Sequence, residues 1–374
     1  MPSRNKIVLA CAGSGKTWGI CRDAINSHQD NKKRLLISYT NKGVESIKKE
    51  YAKQNAGVID SDVCICTWFQ FLLKELIKPY QSYYLKNVNM IKSYDFENMY
   101  GKISFNKKNS KNYYLNRNYD VKANNASEFS IHLNNISEGL VLKRLEEVYS
   151  HIYIDEIQDL VGADIDLLQI LFLSSIYTCC VGDYKQSTLR THNAKGGKTR
   201  CGEYVFDYFE KIKKTHYLDI EKCNCSKRFV QDIAKFANLI YPGNSIVSSF
   251  DSTEKNTGVY LISNSDLSIY IRYYNPTILR YDKNIDTLNY PALNFGMSKG
   301  MTMDRVLIFP NGPIKKFIVS GAALSSPHKY YVAVTRPKYN LAFAVDNVIE
   351  NDMFKIQKLY LGDNEIIVAK FVPT

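Results

Sequence analysis

Close to the start of the chain, Ala10-Cys11-Ala12-Gly13-Ser14-Gly15-Lys16-Thr17 gathers small residues, two glycines, a lysine and a threonine into one short run. These residue types suit a loop that cradles phosphates. Small side chains let backbone N–H groups of Ala12, Gly13, Ser14 and Gly15 wrap a β-phosphate, Lys16 reaches the terminal phosphates, and the Thr17 hydroxyl can ligate Mg²⁺. Ala10 stands where the strict pattern has glycine. Farther on, Tyr153-Ile154-Asp155-Glu156 ends an apolar run with two adjacent carboxylates. Asp155 is suited to hold Mg²⁺ directly or through water, and Glu156 to orient and deprotonate an attacking water. Arg228 and Arg336 are candidates to stabilise charge on a transferring phosphoryl group, since guanidinium suits that task.

To do such chemistry these residues must sit at the C-terminal edge of a parallel sheet, and the hydrophobic periodicity supplies one. Short β-like runs at Lys6 to Ala10, Arg34 to Ser38 and Val63 to Cys66 alternate with helical patterns from Lys16 and from Lys42 to Lys53. This βαβα rhythm resumes with a strand His151 to Ile154, a helix Ala163 to Leu173 and a strand Tyr177 to Val181. Between the two stretches, residues 79–146 hold twelve Asn, eight Tyr and ten Lys or Arg against six acids, and read as an insertion. A second alternating block follows Tyr217. Its strands are expected at Val259 to Ile262, Thr277 to Leu279, Arg305 to Phe309 and Leu341 to Val345, with helices across Phe229 to Leu239 and Ser326 to Val334. The expected organisation is a first domain over 1–78 and 147–209, an accessory insertion over 79–146, and a second domain over 210–374.

Composition narrows the class. The chain has 374 residues, 45% of them apolar, with 49 Lys and Arg against 37 Asp and Glu, which gives core material for two domains and a net charge of +12. Intrinsic disorder and a disulfide-stapled miniature are excluded. The positive excess favours an anionic partner. No run reaches the roughly 20 apolar residues that a bilayer span requires, and the reading is a soluble, cytoplasmic protein. Nine cysteines, an odd number, agree with reduced thiols. The Cys64/Cys66 and Cys223/Cys225 pairs lack a second pair at zinc-finger spacing.

Taken in order, these segments and several others resemble the UvrD/Rep family of superfamily 1 DNA helicases. The phosphate loop comes first, then Tyr39-Thr40-Asn41-Lys42 (T-N-K) and Thr67-Trp68-Phe69-Gln70-Phe71 (T-x-H-S-F). Asp155-Glu156-Ile157-Gln158-Asp159 is similar to D-E-F-Q-D, and Gly182-Asp183-Tyr184-Lys185-Gln186-Ser187 to G-D-x-x-Q-S. Arg228 with Ile233, Ala237 and Asn238 keeps a further spacing, and Ser298-Lys299-Gly300-Met301-Thr302 and Tyr331-Val332-Ala333-Val334-Thr335-Arg336 complete the series. The resemblance implies an α/β fold with two RecA-like P-loop domains built on parallel sheets, a small insertion in the first, and ATP and Mg²⁺ as ligands. It further implies that Gln186 senses the γ-phosphate, that Arg228 and Arg336 reach it across a cleft, and that Gly300 and Thr302 belong to the nucleotide-binding set. Tyr39 corresponds to an aromatic that stacks on a base, and Thr40, Asn41, Thr67, Phe71, Ser298 and Lys299 match other DNA-facing positions.

The chain departs from the family in three places. No Gln-containing adenine-reading segment precedes the phosphate loop, and Lys227 replaces a base-stacking Tyr; Trp18 is the residue available to stack instead, with core packing as its other reading. After Gln186-Ser187, where the family carries strand-contacting Tyr and Trp, this chain offers Leu189, Arg190, Thr191 and His192, of which Arg190 and His192 suit phosphate contact or stacking. Finally, only residues 282–297 separate the strand at Thr277 to Tyr281 from the Ser-Lys-Gly segment, too few for the family's large accessory domain. The implied activity is an ATP-dependent single-stranded-DNA translocase or helicase running 3′ to 5′. The alternative is a nucleotide-gated, DNA-binding regulatory subunit of an OLD-type nuclease in a Gabija-like antiviral defence complex. RNA is a third substrate class, because none of these residues separates ribose from deoxyribose.

Overall fold

Lys33–Ser38 (β2, sequence KRLLIS) buries every residue but its first, as a strand covered by helices on both faces must. In the computed structural model, which describes residues 5–29, 31–86, 90–97, 111–187, 202 and 204–373, such strands build two sheets in two compact units. The first unit is Met1–Ala10 with Lys16–Lys222, and the second is Cys11–Gly15 with Cys223–Thr374.

In the first unit, β2 is joined by Asn5–Ala10 (β1), Val63–Thr67 (β3), Tyr149–Ile154 (β4), Tyr177–Gly182 (β5) and Leu218–Cys223 (β6). The order is β3-β2-β4-β5-β1-β6, and the pairs β3/β2, β2/β4, β4/β5 and β5/β1 are all parallel. β6 extends the sheet past the boundary expected near 210, because it lies beside β1. Parallel neighbours put the strands' C-terminal ends at one edge: Ile154 pairs with Cys180, and Leu9 with Gly182. Helix α1 (Lys16–Asn26) leaves the phosphate loop. Helix α2 (Asn41–Gln54) starts at Thr40, whose side chain accepts from Gly43 N and caps the first turn.

The insertion is part of the same core. Tyr113, Tyr114 and Leu115, Phe129 and Leu133 of the helix Ala126–Ile136 (α3), and Val141 and Leu145 of the helix Leu140–Val148 (α4) pack in one cluster with Trp68, Ile154 and Leu168. A buried carboxylate ties them: Asp164 accepts from Trp68 Nε1 at 3.1 Å, Ser127 Oγ at 2.5 Å and Val161 N at 3.1 Å. These bonds satisfy an acid that would otherwise be costly to bury.

The second unit carries a seven-stranded sheet of Gly258–Ser263 (β7), Thr277–Arg280 (β8), Leu293–Asn294 (β9), Met303–Phe309 (β10), Pro337–Val345 (β11), Phe354–Leu361 (β12) and Asn364–Phe371 (β13), in the order β9-β8-β10-β11-β7-β13-β12. The first five are parallel. The last two form an antiparallel hairpin added to β7, turning at Gly362, whose φ of 60° a side chain would resist. No helix among the described residues is long and apolar enough to cross a membrane. Cys11, Cys21, Cys64, Cys66, Cys179, Cys180, Cys223 and Cys225 are free thiols.

Candidate functional site

At the sheet edge of the first unit, α1 begins with Lys16 and Thr17, and Asp155 directly follows β4. Thr17 Oγ1 donates to Asp155 Oδ2 at 2.9 Å, and Lys16 Nζ donates to the Ala10 carbonyl at 3.3 Å. Asp155 is 7% exposed, and its backbone N–H continues the sheet by donating to the Ile37 carbonyl at 2.8 Å. Burial first, then the charge of Glu156, push the Asp155 carboxyl up to about 6, with Lys16 and the Thr17 hydroxyl pulling the other way. A buried carboxylate crowded by a second one, with a hydroxyl already against it, fits a divalent cation bound through Thr17 and Asp155. Among the described residues no group of three or more His, Cys, Asp or Glu gathers as an all-protein metal cage.

Glu156 follows in the left-handed region at φ 61°, a conformation that costs about 1–3 kcal/mol for a residue with a Cβ and is held only where neighbours enforce it. The enforcing neighbours are visible. Its N–H donates to Asp155 Oδ1 at 2.9 Å, and its carboxylate accepts from Gln158 Nε2. Gln158, fully buried, turns its carbonyl oxygen to the Asp183 N–H at 3.0 Å, and Asp183 in turn accepts from Gln186 Nε2 at 2.8 Å and from the Lys185 N–H at 3.1 Å. A continuous chain of hydrogen bonds thus links Glu156, Gln158, Asp183 and Gln186 across the ends of β4 and β5. Nothing in the residue types of Gln158 and Asp183 points to a role; their burial, 0% and 2% exposed, and their shared hydrogen bond do.

The phosphate loop itself has the backbone its glycines predict: Gly13 and Gly15 take φ of 76° and 88°. Ser14 Oγ donates to the Cys11 carbonyl at 2.9 Å, and the buried Ala12 donates its N–H to Tyr331 Oη at 3.4 Å. In the same unit, Lys227 N donates to the Gly13 carbonyl at 2.8 Å. Arg228 Nη1 donates to the Thr335 carbonyl at 3.2 Å. Arg336 is 1% exposed, and its guanidinium donates to the Val332 carbonyl at 2.7 Å, the Met301 carbonyl at 3.1 Å and Thr335 Oγ1 at 3.3 Å. Gly300 has a φ of 79°, and Thr302 is exposed. Trp18 is 45% exposed with the Arg22 guanidinium 4.9 Å over its ring, so it does not pack in the core.

The expected DNA-facing residues divide. Tyr39 is partly exposed at the end of β2, and Asn41 is exposed at the start of α2. Thr40 and Thr67 act as helix caps, Thr67 in a reciprocal capping box with Gln70. Phe71 is 0% exposed and packs on Trp68 with ring centroids 5.6 Å apart, so it has no face to offer DNA; Phe69, two residues earlier, is the partly exposed aromatic of that segment. Ser298 is also buried, its hydroxyl spent on the Phe295 carbonyl at 2.7 Å, while Lys299 is partly exposed. Arg190 and His192 lie outside the described residues.

Residues 118–196 match the model of the UvrD/REP helicase N-terminal domain. No curated protein matches the chain. Among solved structures, an Arterivirus nonstructural protein 10 (helicase) in complex with DNA is similar over 91% of this chain at 13% identity and a TM-score of 0.45, and the chain spans 60% of that protein's length.

Proposed function

We propose that the chain is an ATP-hydrolysing DNA helicase or single-stranded-DNA translocase that works 3′ to 5′. The observation that carries this reading is the contact of Thr17 with the buried Asp155, beside Lys16 and a strained Glu156, at the C-terminal edge of a parallel sheet. Backbone N–H groups of Gly13 to Thr17 and the Lys16 ammonium bind the triphosphate. Thr17 and Asp155 would hold Mg²⁺, which when bound offsets charge on the phosphate oxygens. Glu156 takes a proton from the attacking water, held at its Oε atoms in one orientation by the Gln158 amide. Gln186, on the same hydrogen-bonded chain, responds to the terminal phosphate, and Arg228 and Arg336 supply the cations that the developing charge needs. Tyr39 and Asn41, with Lys299, contact DNA.

The test pairs two measurements on the purified chain: ATPase activity with and without single-stranded DNA, and strand displacement from duplexes bearing a 3′ or a 5′ tail. DNA-stimulated turnover with displacement from the 3′-tailed substrate is expected. Turnover with no displacement from either substrate would replace the helicase reading with that of a nucleotide-gated regulatory subunit.

A further inference from the structure

An aromatic residue delivered by the insertion stands beside the aromatics that begin the expected DNA path. Phe96 is 50% exposed, with its ring centroid 5.3 Å from that of Phe69 and 5.6 Å from that of Tyr94. Phe69 in turn lies 6.0 Å from Tyr39. One contiguous, partly exposed aromatic surface therefore joins the end of β2, the segment after β3 and the insertion.

Phe96 does not reach this place on a loose loop. The two-residue strand Tyr94–Asp95 pairs with Val121–Lys122, and Tyr94 Oη donates to the Phe69 carbonyl at 2.8 Å, pinning insertion to helix start. Asp95 Oδ1 accepts from the Glu97 N–H at 3.0 Å, closing a turn around Phe96, and Ser93 Oγ donates to Asp120 at 2.7 Å. Holding a large apolar ring at the surface is unfavourable unless something covers it in the working state. Two exposed cations, Lys42 and Lys92, occur in the same segments as Tyr39 and Tyr94. A partner with flat apolar faces on an anionic backbone fits this combination, and single-stranded DNA has that chemistry.

The sequence adds a reason. From residue 188 to 203 the chain contains no Phe, Tyr or Trp, so the stretch after Gln186-Ser187 offers only His192 and Arg190 for stacking. We infer that Phe96 is a base-stacking residue, extending the Tyr39–Phe69 surface so that the insertion supplies a large aromatic ring of a kind that residues 188–203 do not contain. This inference rests on the DNA-binding reading above.

Its test measures binding of labelled oligothymidylate and of an abasic oligomer of equal length by fluorescence anisotropy, using wild type, Phe96→Ala, Phe96→Leu and Phe96→Trp. The Leu variant keeps apolar packing on Phe69 but has no π-face. Ala and Leu are expected to weaken oligothymidylate binding by about tenfold, to leave abasic binding within about twofold of wild type, and to leave DNA-free ATPase unchanged; Trp is expected to retain wild-type affinity. Wild-type affinity for oligothymidylate in the Leu variant, or an equal loss on both oligomers in the Ala variant, would overturn the inference alone. Failure of the wild-type chain to bind either oligomer would instead remove the DNA-binding reading on which it stands.

Discussion

Thr17 Oγ1 donates a 2.9 Å hydrogen bond to Asp155 Oδ2 across 138 residues of sequence. The residue that follows the phosphate-loop lysine and the acid that follows β4 are thus brought together by the fold. Desolvation and the Glu156 charge raise the Asp155 carboxyl, and this hydroxyl and the Lys16 charge offset part of that rise.

From that relationship comes the first prediction, which concerns the neighbouring acid. Glu156→Gln keeps the shape and the ability to meet the Gln158 amide but cannot take a proton. Nucleotide binding should survive, and kcat for ATP should fall on the order of a hundredfold or more. Lys16→Ala, by contrast, should abolish turnover through loss of phosphate binding. Steady-state ATPase kinetics beside equilibrium nucleotide binding separates the two, and wild-type turnover in the Gln variant would take Glu156 out of its role.

Arg336 carries a second prediction. Its guanidinium is buried and donates to two backbone carbonyls and a hydroxyl of its own unit, so Arg336→Ala should cost stability as well as rate. Leaving those acceptors unpaired is worth about 2–4 kcal/mol. The expected result is a lower urea midpoint together with a lower kcat. A variant with lowered kcat at unchanged midpoint would show that burial contributes nothing, and one with unchanged kcat would make the residue purely structural.

The motifs at strand ends were legible by residue type: glycines, Lys16, Thr17, Asp155 and Glu156 are the types a phosphate site would need, and the fold sets Thr17 against Asp155. The alternating apolar runs also located β1 to β5 and the strands β7, β8, β10 and β11. What escaped notice was information that only packing contains. Phe71 and Phe69 are indistinguishable by type, yet one is sealed against Trp68 and the other is partly exposed. Thr40 and Thr67 match DNA-facing positions, but local helix starts compete for the same hydroxyls. The Asn- and Tyr-rich composition of residues 79–146 hid α3, though the periodicity from Gly139 to Tyr149 does show α4, and the apolar positions of both complete the first core. The β12–β13 hairpin did leave a signal, Gly362-Asp363 between two strand-like runs, but nothing in the chemistry drew attention to it.

Stability of the first unit should depend on acid pH through Arg34. Its buried side chain meets Asp62 at 2.8 Å and Asp60 at 3.2 Å and also donates to the Ile25 carbonyl at 3.3 Å. The Tyr51 hydroxyl, outweighing the burial that opposes it, and then Asn55 and Arg34 lower Asp60; at Asp62, burial opposes the shift but Arg34 and His28 outweigh it. Both carboxyls are lowered, so their contribution is fully present above the ordinary carboxylate range and is lost as pH falls through the depressed values. Arg34→Met should lower the urea midpoint at pH 7, and the difference from wild type should shrink as pH drops below about 4. A difference that stays constant with pH would place the cost in packing alone.

Thiol chemistry gives a further check on the core. Burial, followed by nearby negative charge, pushes Cys21 and Cys179 up to about 12, and burial raises Cys180 well above the ordinary thiol value. At pH 8 these groups stay protonated and are poor nucleophiles. Peptide mapping after brief iodoacetamide treatment should find all three unmodified in the folded chain and modified in urea. Rapid alkylation of Cys179 or Cys180 at pH 8 without denaturant would mean that the sheet opens there, and of Cys21 that α1 lifts from it.

Gly182 offers the sharpest test of the hydrogen-bonded chain behind Glu156. It ends β5 with an ordinary φ, so conformational freedom is not why glycine is needed there. The reason is space: a Cβ would run into the Gln158 carbonyl oxygen and the Ile157 side chain. Gln158 cannot yield without releasing either the Asp183 N–H or the Glu156 carboxylate, since its amide serves both. Gly182→Ala should therefore disturb the Glu156 carboxylate while leaving the loop at Gly13 to Lys16 intact and, on the proposed role of Glu156, lower kcat by about ten- to a hundredfold with little change in nucleotide affinity. If displacement of Gln158 is the cause, Gln158→Ala, which makes room for the new methyl but gives up the same bonds, should show a comparable loss of kcat, and combining the two substitutions should add little to either alone. Fully additive losses would mean that Gly182 and Gln158 act on Glu156 by separate routes.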